Sequence, residues 1–337
     1  MIVLQKIGSS KMKMFVYNFR EFDEGRYFEQ FTKEYGITAE YTSKTPTVEN
    51  ASEVKGYECI NVITTKIDRP LLEKYKEYGV KYITTRTIGY DHIDVAAAKE
   101  LGIKVSNITY TPDTVAEYTV MLMLMAKRKM KRIMERAVIQ DYTLKGIIGS
   151  EIHQCTVGVI GTGRIGETVI RDLSGFGCKL LAYELYEKEG VKKYAAYTDL
   201  DTLLKESDII SLHMPANESN YHMIDAAAIG KMKQGVLIVN TARGALIDSE
   251  ALIQGIESGK IGGAALDVVE KELGLYYNDL RATVLDNREL AILKSFPNVI
   301  VTPHMAFYTE EAIHDMVKNS IESYCMFAQG KDNPFEV

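Results

Sequence analysis

Three closely spaced glycines carry the most specific chemical signal in the sequence. Gly161, Gly163 and Gly166 follow an apolar run that begins at Thr156. Where such glycines join a strand to a helix, the first permits a tight turn, the second lets the backbone approach a pyrophosphate, and the third lets helix and strand pack closely. The amino end of the helix then offers free N–H groups and its dipole to phosphates. The spacing therefore predicts a dinucleotide site between Thr156 and Glu184.

The choice between the two common dinucleotides depends on Glu184. This acid ends the next apolar run, at the position where the adenosine ribose of a bound dinucleotide is hydrogen-bonded. A carboxylate there repels a 2′-phosphate, so the sequence favours NAD over NADP as the cofactor.

Other groups that could do chemistry follow apolar runs farther along the chain. His213 ends one run, Arg243 follows the next, acids occur in residues 267–272, and His304 follows the last run. In an open α/β sheet, ligands bind at such strand ends. Reduction of a carbonyl needs a proton donor, which histidine can be, and a clamp for a carboxylate, which the planar fork of arginine suits. Such a reaction would therefore use Arg243, one acid and either His213 or His304. The sequence alone does not decide between the two histidines.

Two series of short apolar runs alternate with helical patterns and predict the elements that position these groups. Such an alternation predicts parallel sheets with helices on both faces, so the fold class is α/β with two doubly wound domains. The predicted strands of the first series begin at Met14, Cys59, Val80 and Ile103. The second series has six predicted strands, enough for a complete dinucleotide-binding sheet, and they begin at Thr156, Lys179, Ile209, Val236, Gly263 and Val299.

Two predicted helices bear on domain organisation and assembly. The helix from Thr114 to Ile139 is apolar all round in its middle, which is typical of a helix buried on several sides. It either forms a homodimer interface or is wedged between two domains, and the two interpretations can coexist. The helix from Thr309 to Gly330 comes after the second sheet is complete, so we expect it to return to the first domain.

Length and composition limit the class of protein. The chain has 337 residues and a net charge of -6, which suits two domains and argues against nucleic acid or an anionic membrane as partner. Its four cysteines show no spacing typical of a metal site, and no apolar run reaches the roughly 20 residues of a membrane span. We therefore expect a cytoplasmic protein without a metal. The folded part is expected to start near Met12, with Met1 to Lys11 an extension or an alternative start.

Three segments resemble the Arg, Glu and His motifs of the D-isomer-specific 2-hydroxyacid dehydrogenases. They are residues 241–244, residues 265–272 and residues 301–304. The resemblance covers nearly the whole chain from about Met12 and is strongest to the D-lactate dehydrogenase branch. It implies a Rossmann NAD-binding domain, residues 111–307, inserted into a flavodoxin-like substrate domain built from residues 1–110 and 308–337.

The resemblance also implies roles for individual residues. Arg243 would bind the carboxylate and carbonyl of a 2-oxo acid, His304 would donate the proton, and Glu272 would hold His304. The first domain would meet the substrate through the backbone N–H groups of Ile88 and Gly89 and through Tyr110. His213 would then lie on the cofactor side of the site. In addition to the glycine turn, the residues that would bind NAD are Arg164, Ile165, Glu184, Met214, Pro215, Asn220, Thr241 and Asp267.

The implied reaction is the reduction of a 2-oxo acid by NADH to the D-2-hydroxy acid. Pyruvate is the first expectation, and an aryl or branched-chain 2-oxo acid is the second. The apolar loop from Leu144 to Gly149 is similar to that of aryl-lactate enzymes and favours bulkier substrates. Two departures from the family pattern lie beside the expected site: Lys271 stands where relatives often carry glycine, and Met305 follows the histidine where Thr or Leu is usual.

Two alternatives to this function follow from the same resemblance. An NAD-sensing corepressor shares the fold and needs no turnover, but the intact set of Arg243, Glu272 and His304 argues against it. A formate, glycerate or phosphoglycerate dehydrogenase is the other alternative. The segments around Tyr110 and Tyr308 favour the lactate branch over it.

Overall fold

The structure, a computed structural model, describes residues 12–337. The expected extension from Met1 to Lys11 lies outside the described residues. The chain divides into two compact units. The first unit ends at Thr111 and resumes over Tyr308–Val337, and the second unit is Pro112–Phe307.

The first unit is built on a sheet of five parallel strands in the order β2-β1-β3-β4-β5. This is the flavodoxin-like order of a doubly wound sheet. The strands are β1 Lys13–Val16, β2 Thr38–Tyr41, β3 Cys59–Val62, β4 Tyr82–Thr85 and β5 Lys104–Ser106. The first helices of this unit are α1 Glu21–Tyr35, α2 Arg69–Glu77 and α3 Val95–Glu100.

The second unit is built on a sheet of seven parallel strands in the order β12-β11-β10-β9-β6-β7-β8. Its strands are β6 Thr156–Ile160, β7 Lys179–Tyr183, β8 Ala196–Tyr197, β9 Ile209–Leu212, β10 Val236–Asn240, β11 Ile261–Leu266 and β12 Val299–Val301. The strand order reverses between β6 and β9, which is where a doubly wound sheet binds its ligand. The predicted α/β class with two parallel sheets is confirmed.

The helices of the second unit connect these strands. They are α4 Asp113–Lys127, α5 Met130–Val138, α6 Arg164–Ser174, α7 Glu189–Lys192, α8 Leu200–Glu206, α9 Ala226–Lys231, α10 Ser249–Glu257 and α11 Arg288–Ser295. The last helix of the chain, α12 Glu310–Ala328, belongs to the first unit, where it packs against α1 and β4.

Both sheets are buried on both faces, because alternate strand residues enter different cores. In β1, Phe15 packs with residues of α2 and α3, whereas Met14 and Val16 pack with residues of α1 and α12. In β6, Val157 and Val159 enter one core and Ile160 enters the other. This burial explains why the strands read as continuous apolar runs.

The single helix predicted from Thr114 to Ile139 is wrong. The structure has α4 and α5 instead, separated at Lys129, whose φ of 53° is left-handed and cannot continue a helix. The apolar middle of α4 packs in the core of its own unit, with Leu122 and Met123 fully buried. In α5, by contrast, no residue is buried. Within residues 12–337, no helix is long and apolar enough to cross a membrane.

Two short edge strands were missing from the sequence prediction. β2 is mostly exposed and carries Thr, Ala, Glu and Tyr, so it has no apolar run to reveal it. β8 has only two residues and raises the predicted count of six strands in the second sheet to seven. Both strands lie at the edge of their sheet, where burial imposes little pattern on the sequence.

Candidate active site

The glycine turn has the close contacts that its spacing predicts. Gly161 has a φ of +92°, and a Cβ atom there would lie 2.5 Å from the carbonyl oxygen of His213. A Cβ at Gly166 would lie 2.0 Å from the carbonyl oxygen of Gly161. Neither position has room for a side chain, so β6, α6 and the end of β9 pack backbone to backbone at the switch point of the sheet.

The middle glycine faces open space instead. A Cβ at Gly163 would meet no atom within 4 Å, and α6 begins at the next residue, Arg164. Its exposed neighbour Arg164 and half-buried Ile165 form the first turn of the helix. An open backbone at the amino end of a helix fits the pyrophosphate of a dinucleotide.

Glu184 follows β7 and closes the glycine turn from the side. One of its carboxylate oxygens accepts a hydrogen bond from the backbone N–H of Thr162 at 3.0 Å, and the other accepts from Leu185 N–H at 2.8 Å. The carboxylate is therefore held beside the turn, in the place that suits contact with a ribose. These residues fit NAD, as the sequence predicts.

The loop after β9 is organised by Asn220. Its Nδ2 donates to the carbonyl of Pro215 at 2.8 Å, and its Oδ1 accepts from Asn217 N–H at 2.7 Å. Asn220 Nδ2 also approaches Met214 Sδ at 3.7 Å. The side chain thus shapes the loop that follows the switch point, and direct contact of these residues with NAD stays a prediction.

His213 is buried in the protein interior. It is 9% exposed, and its Nε2 shares a hydrogen bond with Ser211 Oγ at 2.8 Å. Burial away from water lowers the pKa of His213 to about 3, because the charged ring cannot be solvated there. The ring is therefore neutral near pH 7 and has no proton to give to a substrate.

His304 is the histidine with a carboxylate partner. Its Nδ1 donates to Glu272 Oε1 at 2.7 Å, and both side chains are 24% exposed. Glu272 Oε2 accepts from the backbone N–H of Val269 at 3.0 Å, so the carboxylate is fixed as well. The geometry favours His304 over His213 as the candidate proton donor, and that role stays a prediction.

Asp267 holds the loop that carries His304. The carboxylate is fully buried and accepts hydrogen bonds from Thr302 Oγ1 at 2.6 Å, Met305 N–H at 2.8 Å and Ala306 N–H at 2.9 Å. These bonds set the backbone on both sides of His304, whose φ of 53° is left-handed. Asp267 is therefore a positioning residue here, and its predicted contact with NAD stays a prediction.

Arg243 follows the strand next to that of Glu272 and two strands from that of His304. It follows β10, while Glu272 follows β11 and His304 follows β12, and these three strands are parallel neighbours. Asn240 Nδ2 donates to the carbonyl of Arg243 at 2.8 Å and so fixes its backbone.

Thr241, which precedes Arg243 by two residues, lies in the same turn. Its hydroxyl shares a hydrogen bond with that of Thr119 on α4 at 2.8 Å. That bond ties the turn to the helix behind the sheet, and the predicted contact of Thr241 with NAD is not tested by it.

A second His–carboxylate pair lies beside the first and was missed from the sequence. His222 Nε2 donates to Glu270 Oε1 at 2.6 Å, and Glu270 Oε2 accepts from Ser249 N–H at 3.1 Å and Ser249 Oγ at 2.7 Å. Burial opposes ionisation of Glu270, but the hydrogen bonds from His222 and Ser249 outweigh it and lower the pKa of the carboxyl. Nothing in the local pattern around His222 signals this pairing, because the two residues are far apart in sequence.

Lys271, between the two acids, has a φ of 57°. This left-handed backbone explains why glycine suits that position in the family pattern, since only glycine adopts it without cost. The loop keeps the conformation with a lysine because the acids on both sides are anchored.

In the first unit, Ile88 and Gly89 lie on the loop after β4. Asn107 Nδ2 donates to the carbonyl of Ile88 and Thr87 Oγ1 donates to that of Gly89, both at 2.7 Å. Tyr110 stands next to Thr111, where this unit ends. The loop is thus held through its carbonyl groups.

The comparison with known proteins agrees with this geometry. A family model described as the NAD binding domain of D-isomer specific 2-hydroxyacid dehydrogenases matches residues 120–306. The chain is 47% identical over 310 residues to an aromatic 2-oxoacid reductase of Clostridium sporogenes, covering 91% of this chain and 93% of the relative. It is 37% identical over 329 residues to a D-lactate dehydrogenase of Escherichia coli, covering 97% and 100%.

A solved structure gives the same result. The D-lactate dehydrogenase with NAD+ from Lactobacillus jensenii is similar with a TM-score of 0.82 and 32% sequence identity, covering 97% of this chain and 99% of that one. The match spans both units, and the cofactor of the matched family is NAD. The chain therefore belongs to the D-isomer specific 2-hydroxyacid dehydrogenase family, in the D-lactate dehydrogenase branch, and is an NAD-dependent oxidoreductase.

Proposed function

We propose that this enzyme reduces an aromatic 2-oxo acid, such as phenylpyruvate, to the D-2-hydroxy acid. The relative that is 47% identical is named for aromatic 2-oxo acids, whereas the Escherichia coli D-lactate dehydrogenase is 37% identical. This difference moves the bulky substrate ahead of pyruvate, which the sequence placed first. The loop from Leu144 to Gly149 adds no support, because Leu144 and Ile148 are exposed by 84% and 83% in the segment after α5.

The observation that carries the proposed reduction is the hydrogen bond from His304 Nδ1 to Glu272 Oε1. With Nδ1 directed at the carboxylate, Nε2 of the protonated ring is left to donate to the carbonyl oxygen of the substrate. NADH, when bound, supplies the hydride that the carbonyl carbon accepts. His304 gives its proton to the oxygen, which becomes the hydroxyl of the product, and the neutral ring keeps its N–H on Glu272.

Arg243 would bind the carboxylate of the 2-oxo acid. Its planar guanidinium can hold both carboxylate oxygens at once, which orients the carbonyl as well as binding the acid. The position of Arg243, one strand from that of Glu272, supports this role. Ile88, Gly89 and Tyr110 of the first unit are proposed to contact the same substrate.

The glycine turn and its neighbours would bind NAD. In this proposal the backbone at Gly161, Gly163 and Gly166, with Arg164 and Ile165, receives the pyrophosphate, and Glu184 takes the adenosine ribose. The open backbone at Gly163 supports this assignment. The remaining proposed contacts come from the loops that follow β9, β10 and β11 and are Met214, Pro215, Asn220, Thr241 and Asp267.

A panel of 2-oxo acids tests the proposal. Phenylpyruvate, 4-methyl-2-oxopentanoate and pyruvate are assayed by the absorbance of NADH, and the D and L products are separated. We expect the highest kcat/KM with phenylpyruvate and a D product. A higher kcat/KM with pyruvate would reverse the proposed substrate, and no oxidation of NADH with any of the three would contradict the reaction itself.

We also propose that the enzyme is a homodimer through α5 and the segment that follows it. Large apolar side chains are exposed there, which in a single chain is unfavourable and indicates a protein interface. They are Met134, Val138, Ile139, Tyr142, Leu144 and Ile148. Light scattering should give twice the chain mass, and Ile139→Asp should shift the protein toward the monomer. A wild-type monomer would contradict this assembly.

The proposed location is the cytoplasm. The cysteines at 59, 155, 178 and 325 are all free thiols, which suits a reducing compartment. Regeneration of NAD during fermentation and breakdown of aromatic amino acids both fit such an enzyme.

A further inference from the structure

His222 connects the two loops that carry the catalytic groups. Its backbone N–H donates to the carbonyl of Ala245 at 2.9 Å, two residues after Arg243. Its ring donates to Glu270 at 2.6 Å, two residues before Glu272. One residue therefore joins the turn of the substrate clamp to the turn of the proton donor's partner.

The two turns are also in direct backbone contact. A Cβ at Gly244 would lie 2.1 Å from the carbonyl carbon of Val269, so nothing larger than glycine fits between them. The contact fixes how closely the turns approach. The contact alone does not fix the relative position of the two turns in the direction parallel to the contact. The hydrogen bonds of His222 to both turns are directional and do fix it.

Glu270 is anchored at further points. Ser249 at the start of α10 donates two hydrogen bonds to its carboxylate, and Asn287 Nδ2, from the cap of α11, donates to its carbonyl at 3.1 Å. With Glu270 fixed, the left-handed Lys271 sets the direction in which the next residue, Glu272, reaches His304.

His222 is itself held in one orientation. Its ring stacks on that of Tyr221 with the centroids 3.9 Å apart, and Nδ1 lies 3.9 Å from Asp248 Oδ2. The residue has a φ of 52°, a left-handed conformation that is unfavourable for histidine and is kept by these contacts.

We propose that His222 is a positioning residue that sets the spacing between Arg243 and the Glu272–His304 pair. This inference rests on the proposed function, because it assumes that Arg243 holds the substrate while His304 protonates it. An error of about 1 Å in such a spacing can reduce turnover about 10²-fold, even when the changed residue is remote from the substrate.

Three variants test this role. His222→Phe keeps a flat ring for stacking on Tyr221 and removes the donor to Glu270. His222→Gln restores an N–H donor of similar reach. His153→Phe is the control, because it removes a histidine that bonds a backbone carbonyl, that of Phe176, on the segment that precedes β6.

The readouts are kcat and KM for phenylpyruvate and the Kd of NADH measured by its fluorescence. We expect His222→Phe to lower kcat/KM by about 10²-fold, through both a lower kcat and a higher KM, with the Kd of NADH unchanged. His222→Gln should recover most of the loss, and His153→Phe should match the wild type. General damage to the fold would weaken NADH binding as well and would not be repaired by glutamine.

The outcomes separate this inference from the proposed function. A wild type that reduces none of the 2-oxo acids overturns the proposed function. An active wild type overturns the role of His222 if His222→Phe keeps its kcat/KM, if the Kd of NADH rises in parallel, or if His222→Gln recovers nothing. If His222→Phe does not fold, Glu270→Gln is measured instead, and an unchanged kcat/KM in that variant overturns the role.

Discussion

Two regions of the second unit differ in what they expose: one exposes backbone and the other exposes side chains. The glycine-turn region, residues 161–166 with Glu184 and His213, presents open backbone and encloses a neutral histidine. The Glu–His region, residues 269–272 and 302–306, presents a half-exposed carboxylate and imidazole in contact. Both regions contain a histidine just after a strand, so position at a strand end does not decide the chemistry of a group. Its solvation and its partner do.

Backbone strain separates the same two regions. The left-handed residue of the glycine-turn region is Gly161, for which that conformation is free of steric cost. In the Glu–His region the left-handed residues are Lys271 and His304, which cost of order 1–2 kcal/mol each. The region proposed for proton transfer is therefore strained and held by many hydrogen bonds, whereas the region proposed to bind the cofactor is relaxed.

The largest expected effect comes from removing the proposed proton donor, His304. His304→Ala should lower kcat about 10²- to 10⁴-fold, which is the usual contribution of a general acid, and should leave the Kd of NADH unchanged. Stopped-flow and steady-state assays with NADH measure both quantities. If His213→Ala has this effect on kcat and His304→Ala does not, the proposed difference between the two histidines is wrong.

Removing the charge of the partner should have the next largest effect. Glu272→Gln keeps the size of the side chain but no longer offers His304 Nδ1 a carboxylate, so we expect kcat to fall by about 10- to 100-fold, the scale known for carboxylates that orient metal-binding histidines. Glu257→Gln, at the end of α10, is the control for loss of one negative charge. A Glu272→Gln enzyme with the kcat of the control would contradict the role of Glu272.

A change in the glycine-turn region should act on the cofactor and not on the proton. Glu184→Ser removes the carboxylate beside the turn, and we expect the Kd of NADH to rise about 10-fold, the scale of one hydrogen bond to a charged group. NADPH should be discriminated against less, because no carboxylate then repels its 2′-phosphate. An unchanged ratio of the NADH and NADPH constants would remove Glu184 from the ribose site.

The smallest effect on turnover is expected at His213, where stability should change instead. The folded state excludes a proton from this ring between the ordinary pKa of 6.5 and the lowered pKa of about 3, while the unfolded chain binds one. Unfolding is therefore favoured as the pH falls through that window, by up to about 1.4 kcal/mol for each pH unit. Urea unfolding at pH 5 and pH 7 should show a smaller pH dependence in His213→Gln than in the wild type. If the free energy of unfolding depended equally on pH in both proteins, the His213 ring would not be shielded from water in the folded state.

The sequence predicted the parts of the site that depend on local chain geometry. The glycines, Glu184 and the central strands of both sheets belong to patterns of a few residues each. The choice between His213 and His304 could not be made in this way, because it depends on what surrounds each ring in the fold. The His222–Glu270 pair is hidden for the same reason, since its two members are brought together only when the loops after β9 and β11 pack.

Errors in the fold prediction have equally particular causes. The break at Lys129 interrupts a pattern that continues to read as helical on both sides, and only the left-handed φ of that residue reveals it.

The burial of Arg86 is another feature that the sequence did not reveal. The side chain is fully buried at the end of β4, hydrogen-bonded to Glu24 at 3.0 Å and to Asn61, and a charged residue is seldom buried without such partners.

The way in which Asp267 holds the His304 loop has a consequence for evolution. Its carboxylate grips the loop through the main-chain N–H groups of Met305 and Ala306, and every amino acid except proline supplies that group. The side chain at 305 can therefore change by mutation without loosening the grip beside it. Natural variation or directed evolution can therefore replace the residue beside His304 while the backbone that carries His304 keeps its hydrogen bonds to Asp267.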